Sequence, residues 1–262
     1  MNNCHIIFRS CSGVYTFHND INRIGESITK QEIILRCLNS LVNSINLTNN
    51  NFKLKLTIVD DHSNSDCLSN IETILKKCKC DNNIVNLAET GNGNSLKECY
   101  NIAKVSDNDL IFFVEDDYLH NSNVINEMLL SYNIISSHIQ KEIALFPCDY
   151  PDNYTRPELL NIPSFIALGN SCHWKTVPNG TCTVFCTKKL LNDYWSLFDK
   201  MSNYGIEGID VINEETTFNK IWRSNNAFLL SPLPSLSIHL HQNTKSSFID
   251  WKKLWNESNY RI

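Results

Sequence analysis

Hydrophobic and polar positions in residues 1–120 alternate between two periodicities. Short apolar runs typical of buried strands cover 5–9, 54–59, 84–87 and 110–114. The amphipathic spacing of helices, with apolar residues three and four positions apart, covers 29–45, 67–78 and 95–104. Strands that alternate with helices over short loops predict βαβ units. We therefore expect an α/β fold with a mainly parallel central sheet flanked by helices.

The pattern after residue 120 is less regular. Helices are predicted at 123–137, 188–201 and 213–223, and strands at 143–147, 164–168 and 182–187. The segment 228–241 is extended and contains two prolines, which suits an edge or connecting strand. No repeat or low-complexity linker divides the chain. The simplest prediction is one domain over 1–262, with a smaller second sheet in its later half.

Composition and charge narrow the class of protein. Hydrophobic residues make up 42% of the chain and charged residues 19%, which is a globular composition. The net charge of −5 argues against a nucleic-acid partner, since such proteins normally carry a basic surplus. No apolar run approaches the roughly 18 residues of a membrane span, and the N-terminus lacks the pattern of a signal peptide. These features predict no transmembrane segment and a cytoplasmic location.

The eleven cysteines show no CxxC pair. The closest spacings are Cys78-x-Cys80 and Cys182-x3-Cys186. A zinc site would need a second pair at ligand spacing. We therefore expect most of these cysteines to be reduced, buried thiols.

Two predicted strands end directly in acidic residues. Asp60 and Asp61 follow one, and Glu115, Asp116 and Asp117 follow another. In parallel α/β sheets, ligands bind beyond the carboxyl ends of the strands. Carboxylates there can hold Mg²⁺ or Mn²⁺, which in turn attracts diphosphate oxygens. The simpler alternative is a solvated acidic turn.

Two histidines near the C-terminus offer further ligands. His239 and His241 occupy alternate positions of an extended segment, so their side chains are expected on the same face. Imidazole can bind Mn²⁺ or donate a hydrogen bond to phosphate. A packed or surface role is the alternative for each.

Three ordered motifs in residues 1–120 resemble the GT-A glycosyltransferases, in particular the inverting family 2. "LTIVDDHSNSD" is similar to their VDDxS segment, and "LIFFVEDDYLH" is similar to their metal-binding DxD segment in its xDD form. Between them, "ETGNGNSLKECYNIAK" resembles the NxGxxxARNxG stretch. The resemblance covers residues 1–120 well and the remainder loosely.

The resemblance implies a nucleotide-sugar donor, with UDP as the expected nucleotide. The residues that it places against the donor are Arg9, Ser10, Asp61, Asn92, Lys97, Asp116 and Asp117. Asp117 would bind Mn²⁺ or Mg²⁺, and Asp116 would contact the ribose or the cation, with His239 and His241 as further candidate ligands. Arg9 can equally be an ion-pair partner, and Lys97 a solvated helix residue. The segment "RSCSGVYTFHND" departs from the PxYN stretch of the family, which leaves the donor open.

An inverting transfer needs a carboxylate that takes the proton of the acceptor hydroxyl. In "GIDVINEETTFNKIW" the resemblance places Glu215 at the position of this base, with Asp210 as the second candidate. The alternative is that acidic residues in a first helical turn stabilise the helix, with Asn213 as a cap.

The predicted acceptor residues lie in the later half of the chain. His173 and Trp174 in "SCHWKTVPNGTCTVF" suit a pocket in which a sugar stacks on an aromatic ring, and Asp149 is a further candidate. The alternative is that Trp174 packs in the core. The expected division is a nucleotide-sugar-binding half at 1–120, an acceptor half at 121–241 and a C-terminal helix or lid at 242–262.

The resemblance therefore implies a metal-dependent, inverting glycosyltransferase of the hexosyltransferase class. Its acceptor, whether a glycan, a lipid or a protein, and its oligomeric state stay open. A sugar nucleotidyltransferase is a second reading, but no GGxGTR-type loop follows the first strand. A third reading is a GT-A-like binding protein without catalysis, which would be expected to lack the acidic residues that this chain retains.

Overall fold

The computed structural model describes residues 3–13, 28–204, 211–241 and 248–261. These residues form eleven strands and ten helices. The strands are β1 (Asn3–Ser10), β2 (Lys53–Asp60), β3 (Asp81–Asn86), β4 (Leu110–Glu115), β5 (Tyr118–His120), β6 (Glu142–Leu145), β7 (Ile166–Leu168), β8 (His173–Val177), β9 (Val184–Thr187), β10 (Ala227–Leu233) and β11 (Ser237–His239). The helices are α1 (Lys30–Leu47), α2 (Ser65–Leu75), α3 (Asn92–Val105), α4 (Val124–His138), α5 (Asp152–Thr155), α6 (Pro157–Leu160), α7 (Lys188–Asp193), α8 (Trp195–Met201), α9 (Asn219–Arg223) and α10 (Trp251–Glu257).

Nine strands form one sheet in the order β3-β2-β1-β4-β9-β6-β10-β8-β7. Strands β1 to β4 are mutually parallel, as the alternating pattern predicts, and β10 is parallel to β6. Strands β8 and β9 run opposite to the others in this sheet. Strands β5 and β11 pair separately as a small antiparallel sheet. The α/β prediction with a mainly parallel central sheet is confirmed.

Both faces of the sheet are covered, which explains the continuous buried apolar runs of β1 and β4. In β1, Ile6 and Phe8 belong to one core cluster and Ile7 to the other, because successive side chains of a strand point to opposite faces. Helices α1, α2 and α4 pack in the first cluster, and α3, α7 and α8 in the second. The carboxyl ends of β1 to β4 lie together at one end of this sheet.

Helix α1 shows how the local sequence sets an element's bounds. Thr29 is the N-cap, and its side chain accepts a hydrogen bond of 3.1 Å from the Glu32 amide. The apolar stripe that follows, which includes Ile34, Leu38 and Leu41, is fully buried against the sheet. Cap and stripe together predict this helix well.

The later half of the chain differs from its predicted elements. Helix α9 is shorter than the predicted 213–223 because Asn213 instead closes a turn, its side chain accepting from the Thr216 amide at 3.1 Å. The predicted helix at 188–201 is divided at Tyr194 into α7 and α8. Strand β8 lies inside a segment that we had expected to be an acceptor loop.

The proline-bearing segment 228–241 is divided into β10 and β11, and the edge-strand prediction for its first part is wrong. Strand β10 lies between β6 and β8 in the sheet. Pairing with β6 extends only to Leu230, whereas pairing with β8 extends to Leu233. Pro232 is tolerated because it stands beyond the end of the β6 ladder, where a backbone N–H is not required.

A buried carboxylate fixes the loop that precedes β8. Glu127 on α4 is 0% exposed. It accepts hydrogen bonds from the Ser131 hydroxyl (2.6 Å), the Ser171 hydroxyl (2.6 Å), the Ser171 amide (3.0 Å) and the Asn170 side chain (3.0 Å). Burial alone would raise the pKa of Glu127, but these hydrogen bonds outweigh it and lower the pKa to about 2. A charged Glu127 therefore ties α4 to residues 170–171.

The C-terminal helix is docked on α1. The Arg36 guanidinium lies 4.5 Å from the centroid of the Trp255 ring and donates to the Trp255 carbonyl at 2.6 Å. Leu254 and Trp255 share a buried cluster with Ile33 and Cys37. Among the helices of the described ranges, none combines the length and the apolar character needed to cross a bilayer.

Candidate active site

The parallel register brings the strand ends together at one edge of the sheet. Ser10 of β1 is aligned with Asp60 of β2, and Arg9 of β1 is aligned with Glu115 of β4. The two acidic segments predicted from the sequence therefore lie on either side of the end of β1. This placement is the one that ligand sites in such sheets use.

Asp60 and Asp61 have different surroundings. Asp60 is 1% exposed and accepts from the Ser10 hydroxyl at 2.8 Å and from the Ser63 amide at 2.9 Å, so it braces the turn. Asp61 is 3% exposed and accepts from the Gly91 amide at 2.9 Å. This contact joins the Asp61 turn to the glycine-bearing loop before α3, for which the resemblance predicts a donor contact.

The loop and the first turn of α3 pass close to the backbone of Ser202. Gly91 has a φ of 127°, which favours glycine. A Cβ at Gly93 would lie 2.3 Å from the Ser202 carbonyl oxygen, so only glycine fits there. Asn92 and Lys97 are both exposed on α3, and Asn92 accepts a hydrogen bond from Arg9.

Arg9 is held among acceptors at the end of β1. Its Nη2 lies 2.7 Å from Glu115 Oε1, and its Nη1 donates to the side chains of Asn92 and Ser95. Its Nε is buried and has no hydrogen-bond partner among the described residues. Burial disfavours the charge, but the Glu115 carboxylate outweighs this and raises the pKa of Arg9. Arg9 is thus an ion-pair partner and also a fixed positive charge at the site.

Asp116 already faces a positive charge. Its Oδ1 bonds the Lys30 ammonium at the start of α1, and its Oδ2 accepts from the Cys11 amide at 3.1 Å. The Lys30 side chain is only 22% exposed. The sequence reasoning did not include Lys30, because nothing in its local pattern indicates a contact with a residue 86 positions away.

Asp117 and His239 are neighbours because β5 and β11 pair. Tyr118 is aligned with His239, and the two rings are stacked 4.6 Å apart. His239 Nε2 lies 3.4 Å from Asp117 Oδ2. The His241 ring lies 5.7 Å from the His239 ring, so the structure also brings the two histidines together.

A chain of hydroxyl groups holds the His239 ring. Its Nδ1 lies 2.9 Å from the Tyr150 hydroxyl. The Tyr150 hydroxyl in turn lies 2.6 Å from that of Tyr118, which lies 2.7 Å from the Thr181 hydroxyl. If Nδ1 donates to Tyr150, Nε2 has a lone pair directed to the side of Asp117. Thr181 was not predicted as a site residue from the sequence.

The donor set suits a hard or borderline divalent cation. A carboxylate oxygen of Asp117 and a nitrogen of His239 are both ligand types that Mn²⁺ accepts, and their 3.4 Å separation allows both to reach one ion. Over the described ranges, no group of three or more His, Cys, Asp or Glu side chains is assembled around one point. The remaining positions would fall to water and to phosphate oxygens, as is usual for Mg²⁺ in nucleotide sites.

The two acids of the "NEE" segment have different surroundings. Glu215 is half exposed and bonds the Arg223 guanidinium, with Oε2 2.7 Å from Nη1 and Oε1 3.0 Å from Nη2. Glu214 is half-buried and within electrostatic range of Glu115, Arg9 and His239. Burial raises the pKa of Glu214, the Glu115 carboxylate raises it further, and Arg9 and His239 act in the opposite direction. Asp210, the second candidate base, lies outside the described residues.

The predicted acceptor residues differ in exposure. Trp174 is 0% exposed and packs in the core on β8, so its ring face is covered and the prediction that it stacks on a sugar is corrected. His173 beside it is exposed. Asp149 is buried, accepts from the Tyr154 hydroxyl at 2.9 Å, and its pKa is raised by burial. Acceptor roles for His173 and Asp149 stay predictions.

Comparisons with known proteins agree with the fold. No protein-family model and no curated protein matches the chain. TarS of S. aureus, as its 1–349 form, is similar over 87% of this chain and 58% of that chain, with a TM-score of 0.52 and 14% identity. The mannosyltransferase PcManGT from Pyrobaculum calidifontis, in complex with GDP-Man and Mn²⁺, is similar over 86% of this chain and 56% of that chain, with a TM-score of 0.51 and 11% identity.

These likenesses establish a GT-A-like fold, as the sequence motifs predicted. At such identities they do not transfer an activity, and this chain spans somewhat more than half the length of either protein. Function must therefore be inferred from the side chains of this chain.

Proposed function

We propose that this chain is a metal-dependent glycosyltransferase that moves a sugar from a nucleotide-sugar donor to an acceptor hydroxyl. The observation that carries the proposal is the assembly, where β1, β2 and β4 end, of acidic residues with two half-buried positive charges, Arg9 and Lys30. This combination accommodates a diphosphate, which needs positive charge, beside a nucleoside, which needs polar acceptors. The GT-A-like fold supports the same assignment.

The donor site is divided between the two acidic segments. Asp61 and the loop at Gly91 are placed for the nucleoside, because the Asp61 carboxylate is fixed at the outer end of β2. Arg9 and Lys30 are placed for the diphosphate. Both must loosen from Glu115 and Asp116 to contact phosphate oxygens, so donor binding exchanges one set of ion pairs for another.

Asp117 and His239 are the residues that would hold the divalent cation. When bound, the cation supplies positive charge to the diphosphate that leaves. Tyr150 holds the His239 ring in the orientation that directs Nε2 to the Asp117 side. Asp116, the residue before Asp117, holds the Lys30 ammonium.

The transfer is proposed to be inverting, with one carboxylate taking the acceptor proton. Glu215 was the sequence-based candidate, but it is held by Arg223 and half exposed. Glu214 is the better candidate for the base. Burial raises its pKa, and the charges of Glu115, Arg9 and His239 act on it. A raised pKa brings a carboxylate closer to the value that suits a general base near neutral pH.

A donor-hydrolysis screen tests the proposal. The protein is incubated with UDP-, GDP- and other nucleotide sugars, with and without Mn²⁺, and release of the nucleoside diphosphate is measured. We expect release from one class of donor, dependent on the cation, and lost in Asp117→Ala. Formation of pyrophosphate from a sugar 1-phosphate and a nucleoside triphosphate would instead support a nucleotidyltransferase. Binding of a nucleotide sugar without turnover under every condition would support a non-catalytic binding protein.

A matched pair of substitutions tests the base. Glu214→Gln is expected to lower turnover by roughly 10²- to 10⁴-fold, the contribution typical of general acid–base catalysis, without weakening donor binding. Glu215→Gln is expected to change turnover little. The reverse result would restore the sequence-based assignment, and unchanged turnover in both would exclude this pair.

A further inference from the structure

We propose that Cys78 and Cys80 form a redox-active dithiol that closes to a reversible disulfide. The two Sγ atoms lie 3.5 Å apart in the turn between α2 and β3. One residue, Lys79, separates them in the sequence. This site lies outside the proposed donor pocket, and its existence does not depend on the proposed function.

The turn holds the two thiols in place before any reaction. The Asn46 side chain donates to the Lys77 carbonyl at 2.8 Å and accepts from the Lys79 amide at 2.7 Å. The Cys78 amide donates to the Leu75 carbonyl at 3.0 Å, and the Asn82 side chain donates to the Cys80 carbonyl at 3.0 Å. Because the backbone is anchored on both sides of Lys79, little ordering is needed for one sulfur to meet the other.

Both thiols are half-buried and packed on the core, so reagents can reach them from one side. Cys11 and Cys172 are similarly half-buried but face oxygen atoms: Cys11 Sγ donates to the Asp61 carbonyl at 3.0 Å, and Cys172 Sγ lies 3.5 Å from Glu127 Oε1. Exposure alone therefore does not distinguish the Cys78–Cys80 pair. The Cys78–Cys80 pair is distinguished because each thiol faces the other.

The electrostatic surroundings favour attack by Cys78. The contact between the two thiols lowers the pKa of Cys78, because the facing thiol stabilises its thiolate, and raises the pKa of Cys80. The local sequence is "KKCKC", and its three lysines are exposed. Positive charge around the pair attracts anionic oxidants such as glutathione disulfide.

The reaction consumes one molecule of a small disulfide. The Cys78 thiolate attacks one sulfur of glutathione disulfide, the S–S bond of the oxidant breaks, and one glutathione leaves. Cys80 then loses its proton to solvent, and its thiolate attacks the Cys78 sulfur and releases the second glutathione. Two protein thiols are oxidised to one disulfide, and one glutathione disulfide is reduced to two thiols.

The product is expected to be easily reduced. A disulfide needs sulfurs about 2.05 Å apart, so the pair must close by roughly 1.5 Å within a ring that contains a single intervening residue. Closure therefore strains the hydrogen bonds of the Lys79 turn. Strained disulfides are the labile ones, which makes this pair suited to reversible oxidation rather than to permanent cross-linking.

Mass spectrometry of the whole chain in glutathione buffers tests the inference. Reduced protein is equilibrated at increasing ratios of oxidised to reduced glutathione, quenched with acid, treated with N-ethylmaleimide and digested. We expect the peptide with both cysteines to lose two hydrogen atoms and become resistant to labelling as the ratio rises, and dithiothreitol to reverse both changes. Labelling of both thiols at every ratio, or a bridge to another cysteine, would overturn the proposal.

Matched variants separate a pair from two independent thiols. Cys78→Ser and Cys80→Ser are each expected to lose the internal disulfide and to carry at most one glutathione, whereas Cys172→Ser, a half-buried control, keeps the disulfide. A wild-type measurement does not depend on the folding of variants: phenylarsine oxide, which binds two adjacent thiols, should protect both from N-ethylmaleimide at one equivalent. Independent labelling after this treatment would also refute the pair.

Discussion

Replacing Glu127 with glutamine should remove a large, pH-dependent part of the stability. Glu127 is 0% exposed, and every partner described for it donates a hydrogen bond. Its pKa falls from 4.5 to about 2 on folding, a change of about 2.5 units. At about 1.4 kcal/mol per unit, the ionised form contributes about 3.5 kcal/mol to the free energy of unfolding. The side-chain NH₂ of glutamine would also face groups that donate hydrogen bonds to Glu127, those of Ser131, Asn170 and Ser171, and could not accept from them.

The sign of the pH dependence follows from the lowered pKa. The contribution of Glu127 is complete above the unfolded pKa of about 4.5 and is lost as pH falls through the folded value of about 2. Urea unfolding of wild type and Glu127→Gln from pH 7 to pH 3 gives the difference in free energy. We expect about 3.5 kcal/mol at pH 7, and a smaller difference at pH 3.

An exposed glutamate on α2 is the control. Glu72→Gln removes a charge without removing buried partners, so its effect should stay within about 0.5 kcal/mol. A Glu127→Gln difference below 1 kcal/mol at pH 7, or one that is constant down to pH 3, would refute the assignment of Glu127 as a buried, ionised clamp.

Three further substitutions test other parts of the structure. Gly93→Ala places a Cβ 2.3 Å from the Ser202 carbonyl and should lower the free energy of unfolding by about 1–3 kcal/mol in urea; an unchanged midpoint would contradict the close approach. Trp174→Ala should cost about 3–5 kcal/mol, as for a core residue, and a stable variant with weakened acceptor binding would instead return Trp174 to the acceptor site. Tyr150→Phe removes the hydroxyl at His239 Nδ1 and should weaken Mn²⁺ binding about 10- to 100-fold, as measured by electron paramagnetic resonance. The half-buried control Tyr194→Phe should leave Mn²⁺ affinity unchanged. Equal affinities of the two variants would exclude Tyr150 as the support of His239.

Local signals in the sequence were sufficient for the first half of the sheet. The apolar run of β4 followed at once by Glu115, Asp116 and Asp117 marks both a buried strand and its carboxyl end. The α1 stripe and its Thr29 cap are similarly local. These features need no knowledge of the rest of the chain, since they depend on spacing within one element.

Features that depend on pairing between distant segments were not predictable in the same way. Strand β8 contains His173, Trp174 and Lys175 in a short run, and its pairing with β10 becomes visible only in the folded sheet. The contact of Lys30 with Asp116 likewise joins two elements that only the fold brings together. Glu214 and Glu215 are adjacent in sequence, so the path of the backbone decides which of them faces the site.

The pairing of β11 with β5 has a consequence for synthesis of the chain. Asp117 leaves the ribosome long before His239, yet the two become neighbours only through that pairing. The chain emerges from its N-terminus, so strands β1 to β4 can associate while His239 has not yet been made. The pair that we propose as cation ligands is therefore among the last features to form, and a nascent chain that ends before residue 239 holds only its carboxylate.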